Sequence, residues 1–155
     1  RYLKSPWHIM LLGRVLSLFK GSDLQQVNIQ TLEPNGSDRP STQITHDWSN
    51  GKELSAVLKE WLFDDLGVYP FIRLEQQTTA LQHGRVLTIQ WQSGRTTQII
   101  FDQGMGYWRP KGFSSYDLKF DFRASAKDQI EEMHQLFSRF NVVNSSQLPT
   151  FIMVN

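Results

Sequence analysis

Residues 50–67 read NGKELSAVLKEWLFDDLG, and this stretch decides the fold class. Leu54, Val57, Leu58, Trp61, Leu62 and Leu66 recur at helical spacing and make one apolar face. Asn50 followed by Glu53 forms a weak capping box, because the usual first partner is Ser or Thr. Gly67 ends the helix. Residues 27–32, upstream, alternate apolar and polar as a strand does, and residues 68–75, downstream, read as a second strand. Pro70 stands near the start of that second strand, where an edge position tolerates it. A helix between two strands is the unit from which α/β domains are built.

The same reading extends to both ends. Ser5-Pro6 is a helix-start signal, and Trp7, Met10, Leu11, Val15, Leu18 and Phe19 predict a helix over 6–20 that stops at Gly21. Residues 33–49 hold Pro34, Gly36 and Pro40 among many small polar residues and read as a long inserted loop. Two strands, 85–91 and 96–102, flank Gln92-Ser93-Gly94-Arg95 as a hairpin. Gly104, Gly106, Pro110 and Gly112 mark the next loop, and Tyr116 to Phe122 alternates as a strand. Ser125 with Asp128 caps a last helix whose Ile130, Met133, Phe137 and Phe140 face inward. In the tail 141–155 one apolar patch, Phe151 to Val154, reads as a strand of a parent protein. The expected architecture is a three-layer α/β/α sandwich with a mixed sheet. With no internal repeat and no boundary, residues 1–155 read as one domain, and the opening on Arg1 reads as a piece of a larger protein.

Composition narrows the function classes. Ten Phe, five Trp and four Tyr supply a real core and argue against disorder. The absence of cysteine excludes a disulfide scaffold, a thiolate zinc site and a cysteine nucleophile. His8, His46, His83 and His134 are too scattered for a metal site, so neither metal nor cofactor is expected. No apolar run approaches the ~18 residues of a membrane span, and no secretory leader is visible, so a cytoplasmic location is expected. The net charge is +1, but it is unevenly spread. Between residues 83 and 123 stand Arg85, Arg95, Arg109, Lys111, Lys119 and Arg123 against Asp102, Asp117 and Asp121.

That excess surrounds the glycine-rich loop and is interleaved with Tyr107 and Trp108, a mixture suited to phosphate contact and base stacking. A solvated hairpin with a core-plugging aromatic would read the same way. Gln82-His83-Gly84-Arg85-Val86 stands at the entry to a strand, where period two puts His83 and Arg85 on one face. Arg85 would fork onto phosphate oxygens, and His83 would donate to them or attack. A strand-edge histidine is also commonly just a hydrogen-bonded surface residue. His46-Asp47-Trp48 lacks a nucleophile-elbow serine. Asp64-Asp65 reads as a solvated helix end, and Gly104-x-Gly106 lacks the following helix that a dinucleotide fingerprint needs.

The run from the His-x-Arg strand through the Gly-turn hairpin to Gly104-Met105-Gly106-Tyr107-Trp108 resembles the phospholipase-D-like C-terminal domain found behind microtubule-interacting-and-transport (MIT) modules. Arg1-Tyr2-Leu3 is similar to the tail of that family's opening motif. The resemblance implies the phospholipase-D-like sandwich and, since members pair two copies, a homodimer. It departs from the catalytic pattern of His-x-Lys, four residues, then Asp: Arg85 replaces the Lys, Gln90 stands for the Asp, and Gly106 replaces a later acid. Without those partners a nucleophilic His83 would lack most of its transition-state stabilisation. The expectation is therefore a pseudoenzyme that binds phosphate through His83, Arg85, Arg109 and Lys111, with Tyr107 and Trp108 for stacking. Fragments of this type also resemble accessory domains of bacterial nucleic-acid-processing and phage-defence proteins. Nucleic acid is the first expected ligand, ahead of an anionic lipid headgroup, a protein scaffold role and a weak phosphodiesterase. Covalently linked domains of the parent protein are the remaining expected partners.

Overall fold

The computed structural model describes residues 3, 5–21, 24, 26–34, 48, 50–81, 86–91, 93–101, 120–138 and 150–154. In chain order these form α1 (Pro6–Ser17), β1 (Asn28–Leu32), α2 (Gly51–Leu66), β2 (Phe71–Glu75), a short 3₁₀ turn (Thr78–Ala80), β3 (Val86–Gln90), β4 (Thr96–Phe101), α3 (Ala126–Ser138) and β5 (Thr150–Val154).

β1 and β2 pair in parallel, with Ile29 opposite Ile72 and Thr31 opposite Leu74. Parallel neighbours cannot be joined by a tight turn, so α2 is the crossover between them. Its start is fixed by Asn50, whose Oδ1 accepts from the Glu53 N–H at 3.0 Å. Its end is fixed by Gly67 at φ 72°, a left-handed cap in which the Gly67 N–H donates to the Phe63 carbonyl at 2.7 Å. All six residues of the expected apolar face, Leu54, Val57, Leu58, Trp61, Leu62 and Leu66, are buried.

The first helix is shorter than its spacing predicts and buries more than one face. It ends at Ser17, Leu18 is 75% exposed, and Ile9, Leu12, Gly13 and Leu16 are buried along with Trp7 and Met10. A helix apolar on nearly every side is buried all round, so a single-stripe reading picks only part of it. Ser5 occupies the N-cap position, but its side chain makes no capping bond. α1 lies against α2 at Gly13, where a Cβ would stand 2.5 Å from Trp61 Nε1 and 3.0 Å from Asp65 Oδ2. α3 packs on the other side of α2, burying Ile130 and Met133, and the expected Ser125–Asp128 cap is reciprocal. Phe137's side chain and Phe140 lie outside the described residues.

Trp48, near the end of the 33–49 stretch, is the far anchor of this core. Its Nε1 donates to Gln129 Oε1 at 2.9 Å, and Gln129 Nε2 donates to the Ala124 carbonyl at 2.9 Å. The Trp48 ring meets Phe120 and Phe122 edge to face. Phe122 sits in a turn organised by Asp121, which accepts from the Arg123 and Ala124 N–H groups, so the expected strand does not extend to 122. Residues 116–119 lie outside the described residues.

The remaining strands form an antiparallel sheet in the order β3-β4-β5. The expected hairpin is present, with the Trp91 N–H donating to the Arg95 carbonyl at 2.9 Å. The Phe151–Val154 patch pairs with β4 inside this chain and does not await a parent protein for its partner strand. The fold is thus mixed α/β. Among the described residues it is a cluster of three helices on one face of a two-stranded sheet, beside a separate three-stranded sheet. Among the described residues no pairing joins the two sheets, and the mixed α/β content is the part of the expected architecture that the structure shows.

Two substitutions test this packing. Gly13→Ala should lower the thermal midpoint by several degrees in a circular-dichroism melt. Overpacking against a fully buried indole costs about 1–3 kcal/mol, which exceeds the helix-propensity gain of up to about 1 kcal/mol. Gln129→Met should cost about 1–3 kcal/mol by leaving the Trp48 N–H buried without an acceptor. Adding Trp48→Phe should then cost less than the sum of the two single changes in denaturant titrations.

Candidate functional site

The helices cover one face of the β1–β2 sheet, burying Val27, Ile29 and Thr31 and half-burying Ile72 and Leu74. Period two therefore sends Asn28, Gln30, Phe71 and Arg73 to the opposite, exposed face. The parallel register sets Asn28 beside Phe71 and Gln30 beside Arg73. This face is the floor of a cleft of about 1120 Å³. Its opposite wall is β3, from Val86 to Gln90, with Gln98 of β4 behind it, and one end is closed by Leu16 and Phe19 of the first helix and the turn after it. Phe19 also meets Trp91 edge to face, which holds the hairpin against that end.

The chemistry of the lining is unusual for this chain. Gln26, Asn28, Gln30, Gln90 and Gln98 present five carboxamides, and Thr88 adds a hydroxyl. Arg73 is the one charged residue among the described lining, and no carboxylate is among it. The amides are ordered in advance. Gln26 Nε2 donates to Asn28 Oδ1 at 3.0 Å, and Gln30 Nε2 donates to Glu75 Oε1 at 2.8 Å. Glu75, just outside the cleft, also holds Arg73 through Nε at 2.6 Å, while the Arg73 side chain stays 69% exposed. Carboxamides neither titrate nor attack, and each both donates and accepts. The described lining therefore suits recognition and holds no general acid, base or strong nucleophile.

His83, Arg85, Tyr107, Trp108, Arg109 and Lys111 all lie outside the described residues. Leu81 and Val86, the residues that bracket the His83–Arg85 stretch, both line the cleft. His46 and Asp47 also lie outside the described residues. Asp64 and Asp65 sit at the helix end as expected, with Asp64 Oδ2 3.4 Å from His134 Nε2. Among the described residues no group of His, Asp or Glu is placed to hold a metal, and no helix is long and apolar enough to cross a membrane. The strand reading passed over the amides because alternating polar residues look like any solvated face. The usable signal was the run Gln26-Val-Asn28-Ile-Gln30, where each outward position is a carboxamide.

The whole chain, residues 1–155, matches the family model of the C-terminal domain of the DEAD/DEAH box helicase YjiV. The chain belongs to this family. No curated protein and no solved structure matches it. Membership in the YjiV C-terminal family makes the chain an accessory domain of a larger helicase-type protein. It also overturns the resemblance to the phospholipase-D-like MIT C-terminal domain. That resemblance stood on a His-x-Arg pair, a hairpin and a Gly-x-Gly-aromatic run, whereas the helicase-domain match covers every residue. Short motifs of this kind follow from strand entry and turn geometry in many unrelated sheets.

Glu75 gives a local test. Because Arg73 is mostly exposed, the ion pair is worth no more than about 1 kcal/mol. Glu75→Ala should lower the thermal midpoint by roughly 2–4 °C. A drop several times larger would show that Glu75 holds more than Arg73 and Gln30.

Proposed function

We propose that this chain is a non-catalytic nucleic-acid-binding domain that accompanies a helicase in the cytoplasm. The observation that carries the reading is the match of the entire chain to the C-terminal domain of a DEAD/DEAH box helicase, a protein class whose work is on nucleic acid. Charge placement supports it. The six bases between residues 83 and 123 face only three acids, and the described cleft next to that stretch in sequence is lined without a carboxylate. On this reading His83, Arg85, Arg109 and Lys111 contact backbone phosphates, and Tyr107 and Trp108 stack on bases. The described lining of the cleft, which holds no general acid, base or strong nucleophile, supports the non-catalytic reading.

The test is binding of labelled single-stranded and duplex oligonucleotides to the 155-residue chain, followed by fluorescence anisotropy across about 50–200 mM salt. Affinity should fall steeply with salt. Arg109→Ala with Lys111→Ala should flatten the duplex slope of log K against log salt by about 1.8, the share of two phosphate contacts. An absence of binding at the lowest salt would remove the reading and leave a protein scaffold role.

A further inference from the structure

The cleft between the open face of β1–β2 and the edge of β3 is assigned no role by the family match. We infer that it is a binding site for unpaired bases of a single strand. The inference rests on the nucleic-acid reading above and says which form of nucleic acid the domain takes and where.

Three observations converge on it. Phe71 is 65% exposed on an otherwise polar sheet face, an arrangement that costs hydrophobic free energy unless something covers the ring. An aromatic ring on an open sheet is a stacking platform, and stacking accepts every base because each has a π-face. The ring is bordered by carboxamides on both walls: Asn28 beside it in the register, Gln30 one step along, and Gln90 and Gln98 across the cleft. Base edges carry donors and acceptors side by side, and carboxamides carry the same pair. The described lining contains no acid and one guanidinium, Arg73, two residues from Phe71 on the same face. A phosphate attached to a stacked base would meet the Arg73 guanidinium, which is 69% exposed and which Glu75 holds through Nε from outside the cleft.

The lining argues against a compact apolar ligand. Small-molecule pockets are predominantly apolar, whereas this cleft presents five carboxamides. A polymer with several polar groups fits it better than a compact metabolite. A duplex keeps its bases stacked and paired, out of reach of a ring within a cleft, while a single strand can splay them outward.

The experiment compares the 155-residue chain with three variants, using labelled deoxythymidine and deoxyadenosine oligomers and a duplex of equal length. Phe71→Ala should weaken single-strand binding by about 5- to 150-fold, the loss of one base–aromatic stack, and leave duplex binding unchanged. Phe71→Tyr should restore the single-strand affinity. Asn28→Asp, which puts a carboxylate on the cleft floor and can still accept from Gln26 Nε2, should also weaken single-strand binding. Both positions are exposed, so thermal midpoints should stay close to the parent's and separate lost binding from lost folding. If oligomers bind and Phe71→Ala leaves them unaffected, the inference is overturned while the nucleic-acid reading stands. The cleft then reverts to a groove in which an extended polypeptide could pair with a strand edge. If no oligonucleotide binds the parent chain, both fall together.

Discussion

Two parallel strands that lie side by side cannot be joined by a tight turn, and the rest of this structure follows from how that constraint is met. α2 makes the crossing, and its apolar residues must be buried on the sheet face it passes over. α1 and α3 then flank α2 on that same side, α1 drawn in at Gly13 against the Trp61 indole and α3 through Met133. With all three helices on one side, the opposite face of β1–β2 is left to solvent. The open face that carries Phe71, Arg73 and the amides is the reverse side of the core, and its position is set by the same crossover that builds the core.

Helix periodicity and caps were legible because they are local. The α2 face, the Asn50 and Ser125 caps, the hairpin and the strand at 151–154 can each be read from a handful of neighbouring residues. What was not legible depended on distance. The burial of Trp48 follows from Gln129, far along the chain, and nothing near Trp48 announces it. The over-buried α1 follows from being packed on several sides, which a single stripe does not encode. The cleft needs β1 and β3 to face each other across more than fifty residues of sequence. Among the described residues no pairing joins the two sheets; which strands pair depends on which edges meet in space, while the pattern of strands and helices predicts only how many there are.

Family assignment failed for a related reason. A histidine two residues before an arginine, a glycine in a turn and an aromatic after a glycine each satisfy local rules of strand entry and chain reversal. Together they imitate a motif without sharing its origin. The helicase-domain match extends instead from residue 1 to residue 155. The broad expectation of an accessory domain in a nucleic-acid-processing protein, favoured by the interleaved basic and aromatic residues, agrees with the helicase-domain match.

β5 joins the sheet from the last residues of the chain, while its partner β4 is complete at Phe101. Roughly fifty residues separate the two, so at ~5–20 residues per second a ribosome takes several seconds to supply the missing strand. During that interval the β4 edge, with Ile99, Ile100 and Phe101, is an unpaired apolar template of the kind that recruits other chains. The three-stranded sheet is therefore completed only when residues 150–154 have emerged. Any shortening that removes residues 150–154 would make that transient edge permanent.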